Sequence, residues 1–103
     1  MKTYQCYRVN GYPRVDVKNG AQKTALTPGP SHKAARLSQD FDWGFGGAAA
    51  DQLAVALLMD IYDNKALALK HYDDVKWTFL ATAPKAATEI REDQVRSLVS
   101  ASA

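Results

Sequence analysis

The chain has 103 residues with a formal net charge of +2, and 47% of its residues are hydrophobic. This length suits one compact domain, so we expect a single α+β domain over residues 1–103. The low net charge and the apolar content argue against a disordered chain, and the longest apolar run, residues 53–59, is too short to cross a bilayer.

Cysteine usage and the N-terminal composition bear on the compartment. The first residues contain no apolar segment typical of a secretory signal, and the chain has one cysteine, Cys6. One cysteine cannot form an internal disulfide, which favours a reducing compartment, so we expect a cytoplasmic protein without a membrane segment. Cys6 itself is typical of a small buried hydrophobic residue rather than of a nucleophile.

The first forty residues have the composition of strands and turns. Residues 3–9 are rich in Tyr and Val, residues 12–18 place two valines on one face, and Asn10-Gly11 between them favours a type I′ hairpin turn. Asn19-Gly20 repeats that signal ahead of a weaker third strand over residues 21–27. The sequence therefore predicts a small N-terminal antiparallel hairpin or a three-stranded meander.

A proline-rich stop and a polar connector over residues 31–40 separate the strands from two central helices. The first helix is predicted over residues 48–62, because its leucines recur on one face, and the second over residues 65–81. The predicted buried stripe of the second helix consists of Leu69, Tyr72, Val75 and Phe79. Trp77, on the same helix, is expected in the core.

The C-terminal part predicts a short strand and a short helix. Pro84 ends the second helix, residues 88–90 favour a strand, and residues 92–99 favour a helix with two acidic residues in its first turn. We expect residues 100–103 to be frayed. The complete pattern predicts an α+β fold, in which the hairpin or meander packs on two central helices and a short C-terminal helix.

A glycine-rich stretch lies immediately before the first predicted central helix. It consists of Asp42, Trp43, Gly44, Phe45, Gly46 and Gly47. Glycines permit close backbone approach, and the free N–H groups of a helix N-terminus suit an anion, so one interpretation is a phosphate or carboxylate cradle. The stretch is neither a P-loop nor a dinucleotide fingerprint. The structural alternative is that Trp43 and Phe45 pack over the start of the helix.

Three residues of the predicted helices extend this stretch into a candidate binding surface. Gln52 follows the glycines within the first turns of one helix, whereas Tyr72 and Lys76 are four residues apart and share a face of the other. Lys76 is expected to pair with Asp42 or Asp74, or to lie across an aromatic ring. A protein partner or a second copy of the chain, as in a homodimer, is the expected occupant of this surface.

The sequence gives little indication of a catalytic or metal-binding site. His32 lies in a Pro/Ser loop and His71 is expected on a charged helix face, and one cysteine cannot complete a zinc site made of Cys and His. Asp73 and Asp74 are adjacent, so on a helix they point about 100° apart and form no carboxylate pair. We therefore expect binding rather than catalysis, with no cofactor and no metal.

Basic and aromatic residues interleave on the predicted hairpin. Residues 1–40 carry seven Lys or Arg against two acidic residues, whereas residues 41–103 carry six against nine. Aromatic platforms beside cations are typical of proteins that bind single-stranded nucleic acid, although cations also protect edge strands from unwanted pairing. This alternative site comprises Lys2, Tyr4, Tyr7, Arg8, Tyr12, Arg14 and Lys18.

Three sequence patterns carry a resemblance to a known type of domain. Residues 41–58 fit F-[DE]-W-G-[YF]-G-G-x-x-x-x-Q-L-A-x-A-L-L, residues 68–77 fit A-L-x-x-Y-x-D-[FV]-K-W, and residues 15–20 fit V-x-V-x-[DN]-G. Over most of residues 14–80 the chain thus resembles a small uncharacterised prokaryotic and phage domain family. Where relatives tend to have Ser-Gly-Pro, however, this chain has Ala48-Ala49-Ala50, which removes a hydroxyl able to cap the helix. A Trp usual near the last strand is also absent around Ala87.

The resemblance implies an α+β domain from phages, plasmids or other mobile elements, and it implies no known reaction. We therefore expect a non-catalytic accessory or interaction protein that binds a protein partner through the glycine-rich stretch and the helix pair. Nucleic-acid binding through the basic hairpin is one alternative. Binding of a small anion or nucleotide at the N-terminus of the first central helix is another.

Overall fold

The computed structural model describes residues 1–101, in which a four-stranded antiparallel sheet packs against helices. The strands are β1 (Lys2–Val9), β2 (Tyr12–Asn19), β3 (Gln22–Leu26) and β4 (Thr88–Arg91), in the spatial order β3-β2-β1-β4. The helices are α1 (Pro28–Ser31), α2 (Ala48–Tyr62), α3 (Lys65–Val75) and α4 (Glu92–Ala101), and a π-helical turn, Lys76–Leu80, continues α3. The predicted α+β fold class is confirmed.

Two segments differ from the prediction: the proline-rich stretch before the connector, which forms a short helix, and the C-terminal tail. The short helix α1 begins with Pro28, at a position where the missing proline N–H breaks no helical hydrogen bond. Ser100 and Ala101 belong to α4, so the fraying predicted for these two residues was wrong. The same prediction for residues 102–103 lies outside the described residues.

Turn geometry fixes the register of both hairpins. Asn10 and Gly11 have φ values of 51° and 82°, the two positive values that a type I′ turn requires, so the first predicted turn is confirmed. The second loop consists of Gly20 and Ala21, one residue later than predicted, and Asn19 belongs to β2. Only Gly20 has a positive φ in that loop, as expected at the first central position of a type II′ turn.

Pro13 lies inside β2 at a point beyond the end of β3, whose last pair with β2 is Val15 with Leu26. Successive residues of an antiparallel strand direct their backbone groups toward opposite neighbours. In this register the backbone of Pro13 faces the side that β3 no longer covers. The N–H that proline lacks would have had no strand partner, so Pro13 costs the sheet no hydrogen bond.

The hydrophobic core lies between one face of the sheet and the helices. Tyr4 and Cys6 from β1 and Val15 and Val17 from β2 are buried in one cluster with the leucines of α2. The helix α2 spans 15 residues and is buried at every position over residues 52–58, because the sheet covers one side and α1, α3 and the π-helical turn cover others. None of the helices within residues 1–101 combines the length and apolar character needed to cross a membrane.

The π-helical turn changes which residues of the second central helix are buried. The N–H of Ala81 donates to the carbonyl of Lys76, five residues earlier, over 2.8 Å. The extra residue in this turn keeps Val75 and Leu80 on one buried face although they are five positions apart. A uniform α-helix would have rotated Leu80 away from Val75, so the turn is what allows both side chains to enter the core.

Two residues predicted to be buried on this helix face solvent. Leu69 is 40% exposed and Trp77 is 54% exposed, so both predictions were wrong. Ala68 takes the place of Leu69 in the core, and Trp77 faces solvent because it follows the buried Val75 by two residues, which is about 200° around a helix. Tyr72 and Phe79 are half-buried and pack against the edge of the core. The predicted stripe assumed uniform α-helical spacing, which the second central helix does not keep.

Glu92 joins the start of β1 to the start of α4. Its Oε1 accepts a hydrogen bond from the backbone N–H of Lys2 over 3.0 Å, and its Oε2 accepts one from Nε of Arg96 over 2.7 Å. These two bonds, the first more than the second, favour the charged carboxylate and lower the pKa of Glu92. Arg96 also lies 4.9 Å from the ring centroid of Tyr62, which ties α4 to α2.

Labelling of Cys6 tests the burial of the sheet. The side chain is 2% exposed, and burial raises the pKa of its thiol to about 12. Because the thiolate is the reactive form, we expect iodoacetamide at pH 8 to label the native protein roughly a thousandfold more slowly than the protein unfolded in urea. Mass spectrometry measures both rates. Native labelling at the unfolded rate would show that Cys6 is not buried.

A pH titration tests the junction at Glu92. Because the pKa of Glu92 is lowered from its ordinary value of 4.5, the charged form stabilises the fold above that pH and the contribution disappears as pH falls through the folded pKa. We expect Glu92→Gln to be less stable than the wild type at pH 7, with a difference that narrows below about pH 4.5. Urea unfolding from pH 7 to pH 3 measures the difference, and Glu89→Gln, at an exposed carboxylate of β4, is the control.

Candidate functional site

The glycine-rich stretch forms an irregular loop over residues 42–47, and a buried tryptophan holds this loop in place. The side chain of Trp43 has no exposed surface. Its indole Nε1 donates a hydrogen bond to the carbonyl of Pro84 over 3.1 Å, and the guanidinium carbon of Arg8 lies 4.6 Å from the ring centroid. Trp43 therefore joins the loop to the end of β1 and to the segment after the π-helical turn.

Arg8 completes this junction with three different contacts. Its Nη2 donates to Oδ1 of Asp42 over 2.8 Å, and its Nε donates to the carbonyl of Lys85 over 2.7 Å. The same Asp42 oxygen accepts the backbone N–H of Trp43 over 2.8 Å. Asp42 and Arg8 thus satisfy each other inside the fold, and the charge of neither residue is left for a ligand.

Two glycines of the loop meet strict steric requirements. Gly44 has a φ of +87°, and its N–H donates to the carbonyl of Leu80 over 2.8 Å. A side chain at that position would also collide with the Lys85 side chain. At Gly46 an added Cβ would lie 2.6 Å from the ring of Trp77, so only glycine allows the loop backbone to pack directly against that ring.

Two exposed aromatic side chains lie at this loop: Phe45, which belongs to it, and Trp77, which packs against it. Phe45 is 42% exposed and Trp77 is 54% exposed. Lys85 Nζ lies 5.9 Å from the ring centroid of Phe45, and no carboxylate lies within ion-pair distance of it in residues 1–101. We call Phe45, Gly46, Trp77 and Lys85 together the aromatic surface. It lies on the predicted loop, but sequence analysis did not assign Trp77 or Lys85 to it.

Lys76 is buried beneath this surface and is neutralised by the fold. Its Nζ lies 2.8 Å from Oδ1 of Asp51 and 3.4 Å from Oδ1 of Asp73. The Asp51 carboxylate is the main reason that the pKa of Lys76 is raised. The predicted pairing with Asp42 or Asp74 was wrong. The alternative prediction of contact with an aromatic ring is confirmed, since Nζ lies 4.7 Å from the centroid of the neighbouring indole.

The side-chain amide of Gln52 holds the connector against α2 through four hydrogen bonds. The side chain is fully buried, and both of its polar atoms make two hydrogen bonds. Oε1 accepts from the backbone N–H groups of Leu37 and Ser38, and Nε2 donates to Ser31 Oγ and the Ala35 carbonyl, over 2.7–3.0 Å. Gln52 therefore positions residues 31–38 and offers nothing to a ligand.

The remaining predicted residue of this surface, Tyr72, is half-buried against the core. Its hydroxyl makes no hydrogen bond within residues 1–101. The structure thus brings Lys76 to the glycine-rich loop through the ring of Trp77, while Tyr72 packs at the edge of the core and Gln52 serves a different segment. Of the nine residues predicted as one binding surface, Phe45 and Gly46 are exposed, and Gly44 and Gly47 are half-buried.

The start of α2 differs from the predicted anion cradle. Gly47 precedes the helix, and no side chain caps its first turn within the described residues. Asp51 supplies a carboxylate in that first turn. This carboxylate interacts favourably with the partial positive charge of the helix N-terminus and is itself paired with Lys76.

The residues predicted to bind nucleic acid are divided between the two faces of the sheet. Tyr4 is fully buried, and its hydroxyl donates to Oδ2 of Asp60 over 2.7 Å. Lys2 Nζ lies 3.2 Å from the same oxygen, and Arg8 is committed to the loop. These three residues share the helix-facing side, because side chains alternate along β1. The four that remain on the outer face are Tyr7, Tyr12, Arg14 and Lys18.

The histidines form no shared site. His71 is 5% exposed, so the charged face predicted for it was wrong, and its Nδ1 has no hydrogen-bond partner within the described residues. His32 Nε2 lies 2.9 Å from the carbonyl of Ser38. Within residues 1–101 the structure brings together no group of three His, Cys, Asp or Glu side chains able to hold a metal ion.

A groove of about 570 Å³ lies between the β2–β3 hairpin and residues 38–42. Val15, Leu26 and Phe41 supply apolar lining, and Arg14 and Asp40 supply charges of opposite sign. None of the four residues of the aromatic surface lines this groove. The groove and the aromatic surface are therefore separate features of the molecule.

Comparisons with known proteins place the chain in a family without giving it an activity. The model of a protein family described as "Family of unknown function (DUF6166)" matches residues 4–101. No curated protein and no solved structure matches the chain. The predicted relation to an uncharacterised domain family is confirmed, and the phage or mobile-element origin remains a prediction.

Substitution of the two tryptophans distinguishes the buried Trp43, which stabilises the fold, from the exposed Trp77, which forms part of the aromatic surface. We expect Trp43→Ala to lower the free energy of unfolding by about 3–5 kcal/mol, because it opens a large cavity in the loop junction. Trp77→Ala, at the exposed ring, should lower it by about 1 kcal/mol or less. Urea unfolding followed by circular dichroism measures both. If Trp43→Ala does not fold, Trp43→Phe replaces it, and a stability equal to the wild type for that variant would contradict the assignment.

Proposed function

We propose that this chain, which belongs to the family of unknown function DUF6166, is a non-catalytic interaction protein that binds a protein partner through the aromatic surface. The observation that carries the proposal is the 54% exposure of Trp77, whose ring packs against Gly46, the residue next to the exposed Phe45. Tryptophan and other aromatic anchors supply a large share of the binding energy in protein interfaces. A large ring left open to water on a folded support is a feature that a partner would cover.

The support beneath Trp77 favours binding at low entropic cost. One face of its ring lies against Gly46, and the buried ammonium of Lys76 lies 4.7 Å from the ring centroid. Asp51 and Asp73 hold that ammonium in turn. A side chain already restrained in the free protein loses little conformational freedom when a partner covers it.

Lys85 adds a charge to the proposed interface. It is exposed at the rim of the aromatic surface and lacks a carboxylate partner within residues 1–101. An unpaired cation at the edge of an apolar contact favours a partner that carries an acidic residue beside its own apolar pocket. The proposed partner surface is therefore a pocket for one or two aromatic rings with a carboxylate at its edge.

The origin and compartment of the protein form part of this proposal. The resemblance of residues 41–58 and 68–77 to a prokaryotic and phage domain family supports an accessory role on a mobile element such as a phage or plasmid. The single cysteine supports a cytoplasmic location, because a chain with one thiol gains no internal disulfide from an oxidising compartment.

Binding of an anion or nucleotide at the start of α2 has less support. Asp51 lies in the first helical turn and places a negative charge where the anion would bind. The Asp42 carboxylate is likewise held in the adjoining loop by Arg8. Since Arg8 and Lys76 are already paired with these two carboxylates, neither cation is left to bind a phosphate there, so the protein partner is the better-supported function.

Affinity purification from the source cells, with three forms of the protein, tests the proposal. The forms are the wild type, Phe45→Ala/Trp77→Ala, and the control Val9→Ala/Leu37→Ala, which removes exposed apolar groups that are not part of the aromatic surface. We expect one protein to be retained by the wild type and the control and lost with the aromatic variant. With that partner purified, the aromatic variant should bind about 30-fold or more weakly, and the control within about twofold of the wild type.

Tryptophan fluorescence provides a second readout of the same complex. Trp43 is already buried, so a blue shift of the emission on adding the purified partner reports burial of Trp77. Equal binding by the wild type and the aromatic variant would refute the proposal. Sedimentation of the purified chain tests a second copy as the partner, in which case the wild type and the control form dimers and the aromatic variant is a monomer.

A further inference from the structure

We propose that the outer face of the sheet is a second and separate binding surface, which takes single-stranded nucleic acid. This face is directed away from the buried side chains of β1 and β2, and its residues are exposed or half-buried. Its basic and aromatic members are Tyr7, Tyr12, Arg14, Lys18, Lys23 and Arg91, which we call the basic face.

A row of cations crosses the sheet at one end of this face. Lys18 on β2 lies directly opposite Lys23 on β3, and on the other side it pairs with Thr3, which pairs with Arg91 on β4. Like charges directly opposite one another destabilise a sheet. The Lys18 and Lys23 pair therefore opposes folding, and its repulsion would be relieved by a bound phosphate.

Two of the cations on this face are free to meet a ligand. Lys23 Nζ lies 3.6 Å from Asp16 and Arg91 Nε lies 3.1 Å from Asp93. Arg14 and Lys18, in contrast, have no carboxylate within ion-pair distance in the part of the chain described, residues 1–101. They lie four residues apart on one face of β2, which is about 13 Å along the strand.

Aromatic rings accompany these cations. Tyr7 lies directly opposite Arg14, and Tyr12 is 68% exposed at the hairpin tip. The hydroxyl of Tyr7 donates to Oδ2 of Asp16 over 2.9 Å, so this carboxylate is engaged by its neighbours, and the other acidic residue of the face, the exposed Glu89, lies on the edge strand β4. Exposed rings beside free cations provide stacking for unpaired bases together with contacts for the phosphate backbone.

The combination favours a single-stranded nucleic acid over other anionic partners. A duplex keeps its bases stacked inside and would gain contacts with Arg14 and Lys18 but not with the tyrosine rings. An acidic protein segment would also be attracted by charge, with no planar base to cover Tyr12. The fold excludes Lys2, Tyr4 and Arg8 from this surface, since each is already bonded on the helix-facing side.

Fluorescence anisotropy with labelled twelve-nucleotide single strands of DNA and of RNA tests the electrostatic part. We expect binding whose logarithm falls linearly with the logarithm of salt concentration between 50 and 300 mM. Arg14→Ala and Lys18→Ala should each weaken binding and reduce the slope by about 0.7, the change for one phosphate contact on a single strand. Lys70→Ala, at an exposed cation of α3, is the matched control and should leave both quantities unchanged.

Substitution of Tyr12 tests the stacking part. We expect Tyr12→Ala to weaken binding by about fivefold or more and Tyr12→Phe, which keeps the ring, to retain the wild-type affinity. A higher affinity for RNA than for DNA, or the reverse, would identify the natural strand, and either supports the proposal. Absence of binding at 50 mM salt, an equal loss with Lys70→Ala, or equal affinity for duplex DNA or a poly-glutamate peptide would overturn it.

Discussion

Trp43 brings together three segments that are distant in the sequence. It lies in an irregular loop, yet it has no exposed surface, and its indole N–H bonds to Pro84 while Arg8 covers its ring. Because Arg8 also bonds to Asp42 and to the carbonyl of Lys85, the end of β1 fixes both the glycine-rich loop and the segment after the π-helical turn. Without this junction, the loop backbone would not be held against the neighbouring helix, and the aromatic surface would not exist.

Some charged side chains form ion pairs that stabilise the fold, whereas others have no ion-pair partner among the described residues. Lys76 and Asp51 neutralise each other beneath the aromatic surface, and Arg8 and Asp42 do so beside it. The free cations on which the two proposals depend lie elsewhere, at the rim of the aromatic surface and on the outer face of the sheet. The two proposed binding surfaces thus differ in character: the first is an apolar contact with a cation at its edge, whereas the second is a charged face with scattered rings.

Local sequence patterns predicted most of the helices and strands, and the features that they missed depend on tertiary packing. Asn10-Gly11 and the leucines of α2 each depend on neighbouring residues alone, so the first hairpin and the longest helix were predicted correctly. The exposure of Trp77 follows from its position two residues after the buried Val75, whereas the burial of Leu80 depends on a one-residue irregularity in helix spacing, which periodicity assumes to be absent. The nearest sequence signal is the five-residue step from Val75 to Leu80. Likewise, the alternation of side chains along β1 could have divided the basic hairpin between two faces, but the depth of Tyr4 needed the helices in place.

Gln52 has a consequence for how this sequence is able to vary. Its amide bonds mainly to main-chain atoms, the N–H groups of Leu37 and Ser38 and the carbonyl of Ala35, and every residue except proline supplies these atoms. Substitutions at these positions therefore leave three of the four bonds available. An inserted or deleted residue would instead shift every one of those groups out of reach. We therefore expect the connector to accept substitutions more readily than insertions or deletions, as long as position 52 keeps its amide.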